Sequence, residues 1–325
     1  MTFGLLCYSA ASFLYTFATN PYHLLPARFL AGLAQCSTFP IGFAYASEVE
    51  NPSSRKWAIG LYMTSMGAGF TVGPVLGGWI AQFWGYKLSY YSASLVALAG
   101  ASLAWRGLKI GRNRRPSPTP KGGRLFVNLR GIIANRPSLL AANVANFFDV
   151  LLFQTLFTFF PLYAAWKGLD ELQIGSGFAF RGLLSALVRL PAGVSTKFTG
   201  PDIMMILGLA ASTIVMFLIP HFSAHAPLSL LLAADGIAYG FFLTAGYTFV
   251  ADESPTSERG MTLGFYSAFS SLSTTVSPSI LGVIADLWGL DNAFITSAYL
   301  ASLGILVMTV VTWLRRRNQI TAIRT

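Results

Sequence analysis

The chain has 325 residues, of which 54% are hydrophobic and only 10% charged, with a formal net charge of +10. A soluble domain carries about 25% charged residues, so a water-soluble enzyme core, a disordered chain and a secreted disulfide scaffold are all excluded. The two cysteines, Cys7 and Cys36, lie in apolar windows and form no framework.

No Asp, Glu, Lys or Arg occurs in 2–19, 29–47, 57–86, 88–105, 203–234, 236–251, 260–285 or 292–314. A bilayer-spanning helix needs about 20 mainly apolar residues. In chain order, cutting at Pro, Gly and charge clusters predicts ten spans, near 2–19, 24–46, 57–83, 88–107, 138–163, 172–195, 202–220, 227–251, 260–286 and 291–314. None shows the alternation of a membrane strand. The fourth and fifth are separated by a long basic stretch containing Pro116, Pro118 and Pro120. Its Leu125, Phe126, Leu129, Ile132 and Ile133, beside Arg124 and Arg130, fit a short amphipathic helix on an anionic leaflet or a solvated linker equally well. The predicted organisation is therefore four spans in 1–107, a basic linker at 108–137, a six-helix bundle in 138–314 and a basic tail at 315–325.

Of the 22 Lys and Arg, eighteen fall on one side of this layout, Lys87 and Lys167 on the other, and Arg28 and Arg181 within spans. The excess of positive charge marks the cytoplasmic side, so both ends of the chain are expected there, in a cell membrane. The net charge is a membrane-topology signal here, and no nucleic-acid partner is expected.

Compared with itself, the chain repeats at an offset of 204. Arg55 falls on Arg259, Gly60 on Gly264, Tyr62 on Tyr266, Pro74 on Pro278, Gly78 on Gly282, Trp84 on Trp288 and Gly85 on Gly289. Upstream, Gly32 meets Gly236, Gly42 meets Gly246 and Glu48 meets Asp252. Apolar composition does not align Arg, Pro, Trp and five Gly in one ungapped register. The offset preserves membrane direction, as in two six-helix halves related by an axis along the membrane normal. On that register, two further helices are expected upstream of Met1.

Two motifs carry a resemblance. Arg28-Phe-Leu-Ala-Gly32 places a Gly four residues after an Arg, and Gly69-Phe-Thr-Val-Gly73-Pro74-Val-Leu-Gly77-Gly78 fills every fixed position of G-x-x-x-G-P-x-x-G-G. With them the sequence resembles the major facilitator superfamily of secondary transporters. The resemblance implies an all-α polytopic, two-bundle fold, with the ten spans equivalent to helices three to twelve. The Gly-Pro motif implies an exporter or antiporter of the drug:proton type. Arg189-Leu-Pro-Ala-Gly193 with Lys197 resembles the basic loop between helices eight and nine, although Thr196 stands where an Asp is usual. Physically, Gly69, Gly73 and Gly77 form a small-residue stripe suited to close helix approach, and Pro74 favours a kink. Generic close packing explains the stripe as well.

An ionisable group at the bilayer centre costs at least ~2.5 kcal/mol, so Arg28, Asp149, Arg181 and Asp235 each need a reason. The resemblance puts Arg28, Asp149 and Asp235 on helices lining a central cavity, and Arg181 beside it. Tyr239 and Phe242 share a helical face with Asp235, and Asn146 belongs to a polar stripe edged by Asp149. These seven residues form the expected substrate and proton site, with Asp149 and Asp235 carrying protons, cationic substrate or both. A static Asp149–Arg181 pair between consecutive helices is the alternative, and the sequence offers Asp235 no evident basic partner. Arg55, Arg259, Glu48 and Asp252 are the candidate gating-loop residues, solvated loops being the bland reading.

His23, His221 and His225 supply no metal-ligand set, and no G-x-S-x-G occurs, so neither an enzyme nor a bound cofactor is expected. The expected function is proton-gradient-driven export of small amphipathic molecules by alternating access, by a monomer. An uptake symporter or uniporter of the same fold and a non-transporting fragment remain the alternatives.

Overall fold

The computed structural model describes residues 1–47, 52–109, 136–254 and 259–324, and at some positions inside them, Arg55, Lys197 and Arg259 included, only the backbone. The described residues form nine α-helices and no strand. They are α1 Thr2–Tyr15, α2 Leu24–Ser47, α3 Pro52–Lys109, α4 Pro137–Trp166 and α5 Glu171–Thr199, then α6 Pro201–Leu218, α7 His225–Glu253, α8 Arg259–Trp288 and α9 Leu290–Arg324. Six of them, α4 to α9, are long and apolar enough to cross a membrane. The candidate 125–133 helix, Glu48 and the side chains of Arg55 and Arg259 lie outside the described residues.

Helix limits differ from the sequence reading chiefly at three places, one of them α9, which runs on through the predicted basic tail to Arg324. α1 stops at Tyr15, where the Thr16 hydroxyl donates to the Phe13 carbonyl at 2.7 Å, and the Asn20 side chain then caps a short 3-10 turn at Pro21–His23. The third and fourth predicted spans are the two arms of α3, which is interrupted at Gly85 (φ 83°, ψ 162°). Pro74 does not break α3: Gly85 is its single non-helical residue. The missing Pro74 N–H is therefore absorbed within a continuous helix.

The chain forms two compact units, Met1–Pro118 with Glu171–Ala179, and Thr119–Asp170 with Phe180–Thr325. In the first, α1 packs on α2 and α3, and the buried hydroxyls of Ser9 and Ser94 hydrogen-bond at 2.8 Å. In the second, α4 packs on α8 and α9, and α6 on α7 and α9. Tyr163, fully buried at the end of α4, donates to the Phe222 carbonyl at 2.9 Å and so ties α4 to the α6–α7 connection. Ser273 of α8 donates to the Phe147 carbonyl at 2.6 Å. Side-chain hydrogen bonds of this kind help hold helices together where lipid provides no hydrophobic drive between them. Large apolar residues such as Val96, Leu103, Leu190 and Leu230 point outward, as a lipid-facing surface requires and a water-facing one does not tolerate.

The internal geometry of each unit repeats at the offset of 204. A Cβ on Gly4 would lie 3.0 Å from the Ala34 carbonyl oxygen, and one on Gly208 would lie 2.9 Å from that of Ala238. A Cβ on Gly42 would press into the Tyr62 ring (Cζ at 3.2 Å), and one on Gly246 into the Tyr266 ring (Cζ at 3.1 Å). Thr71 donates to the Gly67 carbonyl and Thr275 to that of Ser271, both at 3.0 Å. Gly85 and Gly289 both take positive φ (83° and 90°), a conformation that favours glycine, each directly after an exposed Trp, Trp84 or Trp288.

Candidate functional site

The charged centre of the second unit is built by helix spacing. On α7, Gly236 and Gly240 lie four residues apart and face α5: a Cβ on Gly236 would collide with the Arg181 carbonyl, and one on Gly240 would stand 2.8 Å from the Ser185 carbonyl oxygen. The absence of both side chains lets the two backbones touch. Asp235 precedes the first of these glycines, and its carboxylate accepts from the Arg181 Nε at 2.7 Å. Both side chains are nearly inaccessible, at 5% and 3% exposure.

Three rings enclose the guanidinium. Its Cζ lies 4.8 Å from the centroid of Phe153, 5.5 Å from Phe157 and 5.0 Å from Tyr239. Phe153 and Phe157, one turn apart on α4, stack at 4.5 Å with planes 23° apart. Tyr239 is one turn from Asp235 and meets Phe153 at 5.1 Å. Spacing of i, i+4 puts each pair on one helix face. Asp149, one turn before Phe153, is 3% exposed. Among the described residues it makes no hydrogen bond or ion pair, yet it lies within electrostatic reach of both Asp235 and Arg181. Locally, two buried carboxylates lie within the electrostatic reach of one buried guanidinium.

This arrangement corrects the sequence reading. Consecutive helices suggest Asp149 as the partner of Arg181, but α5 packs its Arg181 face against α7, and the partner is Asp235. Asp235 thus has the basic partner that its sequence context does not reveal, and it points inward. The cage rings Phe153 and Phe157 are also absent from that reading, because an α4 run rich in Phe gives no sign of which rings face a charge.

The other predicted residues are placed as follows. Asn146 is buried and donates to the Tyr266 carbonyl at 2.9 Å and the Ser270 hydroxyl at 2.8 Å, joining α4 to α8. Phe242 is buried on the α6 side, where a Cβ on Gly208 would come within 3.0 Å of its own Cβ. Arg28 is exposed, 6.0 Å above the Tyr15 ring. No described atom lies within 4 Å of a Cβ placed on Gly69 or Gly73, and for Gly77 the nearest is the Ser89 hydroxyl at 3.7 Å. The close approach runs instead through Gly78, whose Cβ would strike the Glu171 carbonyl, and Gly175, whose Cβ would strike that of Pro74. Both belong to the first unit.

At one end of the second unit, Asp252 is exposed and borders a recess of about 280 Å³ lined also by Pro201, Asp202, Phe249, Glu253, Arg315 and Arg316. Glu253, which adjoins the predicted Asp252, is the hub. It pairs with Arg315 at 2.6 Å, accepts from the Ser138 hydroxyl at 2.9 Å, and offers its carbonyl to Arg136. Asp202 pairs with Arg316 at 3.1 Å. Arg315 and Arg316 are 40% and 50% exposed, so solvent screens both pairs. Glu253→Gln should therefore cost no more than about 1 kcal/mol in a thermal melt of the purified protein.

Six helices long and apolar enough to cross a membrane, with a charged cluster in their interior, define a multi-pass helical membrane protein. Residues 1–170 and 142–323 match the Major Facilitator Superfamily, and the chain belongs to that family of membrane transporters. It is 21% identical over 315 residues to an uncharacterised MFS-type transporter of Methanocaldococcus jannaschii, covering 96% of this chain and 80% of that protein. It is 24% identical over 327 residues to multidrug resistance protein 2 of Bacillus subtilis (98% and 80% covered). To multidrug resistance protein 1 of the same organism it is 23% identical over 291 residues (87% and 72% covered).

Proposed function

We propose that this transporter exports small amphipathic molecules in exchange for inward-moving protons, with Asp149 and Asp235 at the coupling site. The observation that carries the reading is the surplus carboxylate of the buried cluster. Asp235 is neutralised by Arg181, and Asp149 is not. An uncompensated charge is costly in an apolar interior, and either a proton or a monovalent organic cation removes the cost. The two occupants then exclude each other, which is the requirement for exchange. Arg189, two turns beyond Arg181 on α5 and so about 12 Å further along the helix axis, forms no ion pair with Asp149 among the described residues.

The complete Gly-Pro motif at Gly69–Gly78 and the two multidrug-resistance relatives support export over uptake. The finer architecture belongs to the same proposal: ten spans, bundles at 1–107 and 138–314 joined by the 108–137 linker, both ends cytoplasmic, and transport by alternating access.

Inverted membrane vesicles test it. When respiration acidifies the lumen, the wild-type protein should accumulate ethidium, a planar amphipathic cation, and collapse of the pH gradient should release it. Asp149→Asn and Asp235→Asn should each reduce proton-driven accumulation at least tenfold. Undiminished accumulation by both variants removes these residues from the mechanism. Uptake that runs in the opposite direction overturns export.

A further inference from the structure

We infer that Arg181 occupies the substrate's own seat: the cage of Phe153, Phe157, Tyr239 and Asp235 is a binding site for planar, charge-delocalised cations, filled in this state by a tethered guanidinium. The inference rests on the transport reading of the cluster and names its substrate class. Aromatic faces around a cation, closed on one side by a carboxylate, are the chemistry that recognises organic cations. Here that chemistry is assembled around one flat group, with all three ring centroids within 5.5 Å of the Arg181 Cζ and the carboxylate at 2.7 Å from its Nε.

A buried ion pair is weak support for stability, since well-packed apolar residues of similar volume often do as well. The second carboxylate gives this pair something else to do. When an incoming cation takes Asp235 and the rings, Arg181 is left without a partner, and Asp149 is the buried, unbonded acceptor within its electrostatic reach. Arg181 then moves from Asp235 to Asp149, and the cluster of two carboxylates with one guanidinium and one bound cation is neutral. Departure of the cation returns Arg181 to the cage and leaves Asp149 to take a proton. Arg181 is in this scheme a specificity-determining residue: only a cation that stacks as well as a guanidinium displaces it.

Vacating the seat tests the inference. Arg181→Ala in purified protein should melt lower than wild type, and methylguanidinium should restore several degrees of the loss. Methylammonium at equal concentration and ionic strength should not. Wild type, where the ligand must first displace the tethered guanidinium, should gain less than Arg181→Ala, and Arg181→Ala/Asp235→Asn, with no carboxylate, should show no selective gain. Equal gains from both cations, or none, overturn the cage. A second measurement needs no variant. Benzamidinium should inhibit proton-driven ethidium accumulation by wild type at roughly tenfold lower concentration than benzylammonium, which has the same ring and charge on a tetrahedral head. Equal inhibition refutes the planar class. Vesicles that fail to accumulate ethidium at all would refute the exporter reading, and the melting test would still decide the cage.

Discussion

Asp149→Asn and Asp235→Asn should be strongly non-additive in the melting of the purified protein. Asp235→Asn removes the carboxylate from a guanidinium that is buried with it, and breaking a buried pair from one side costs about 3–5 kcal/mol. The wild-type background softens that cost, because Asp149 is available to Arg181. Asp149→Asn alone leaves the Arg181–Asp235 pair intact and removes a carboxylate with no bonded partner among the described residues, so it should be neutral or slightly stabilising. In the double variant Arg181 has neither acid. Its loss of stability should exceed the sum of the single effects by about 0.5–3 kcal/mol, the usual range for residues sharing one network. Additive melting shifts would show that Asp149 does not receive Arg181. A marked loss from Asp149→Asn alone would show that Asp149 is already a structural anchor.

Helix positions and the repeat were legible in the residues because both rest on one-dimensional signals: charge-free length and a fixed offset. The repeat is carried into three dimensions at Gly42 with Tyr62 and Gly246 with Tyr266, and at the positive-φ pair Gly85 and Gly289. The charged site was legible only in part. Burial of Asp149, Arg181 and Asp235 follows from their apolar windows, but their pairing depends on which helices touch. Chain order favours α4 with α5, whereas the small residues of α7 bring in α5. The two halves also use equivalent glycines differently. Gly236 is closed against α5 while Gly32 is open, and Gly78 is closed against α5 while Gly282 is open. A repeat fixes where a residue sits in its own half and leaves its neighbours from other helices undetermined. For the same reason the Gly69–Gly73–Gly77 stripe, a regular four-residue pattern, did not identify Gly78 and Gly175 as the contact.

That asymmetry makes Gly236→Ala the most informative single-methyl substitution. Gly236 and Gly282 are both helical and both belong to the second unit, so intrinsic propensity alone predicts that alanine stabilises either by about 0.5–1 kcal/mol. At Gly282 no described atom lies within 4 Å of the added Cβ, and the propensity gain should appear as a higher melting temperature. At Gly236 the three nearest atoms to the added Cβ are the carbonyl oxygen, carbonyl carbon and Cα of Arg181, all backbone. A rotamer change cannot relieve that collision, so α5 and α7 must separate, and overpacking of this kind costs about 1–3 kcal/mol. The separation acts at the residue that carries the guanidinium and next to the one that carries its carboxylate. Gly236→Ala should therefore lower the melting temperature and also abolish proton-driven accumulation of ethidium, whereas Gly282→Ala should leave folding intact. Adding Arg181→Ala would not relieve a clash made by the backbone, so the double variant should remain destabilised. Recovery in that double variant would place the conflict in the Arg181 side chain instead, and Gly236 would then act through the cage rather than through the spacing of the helices.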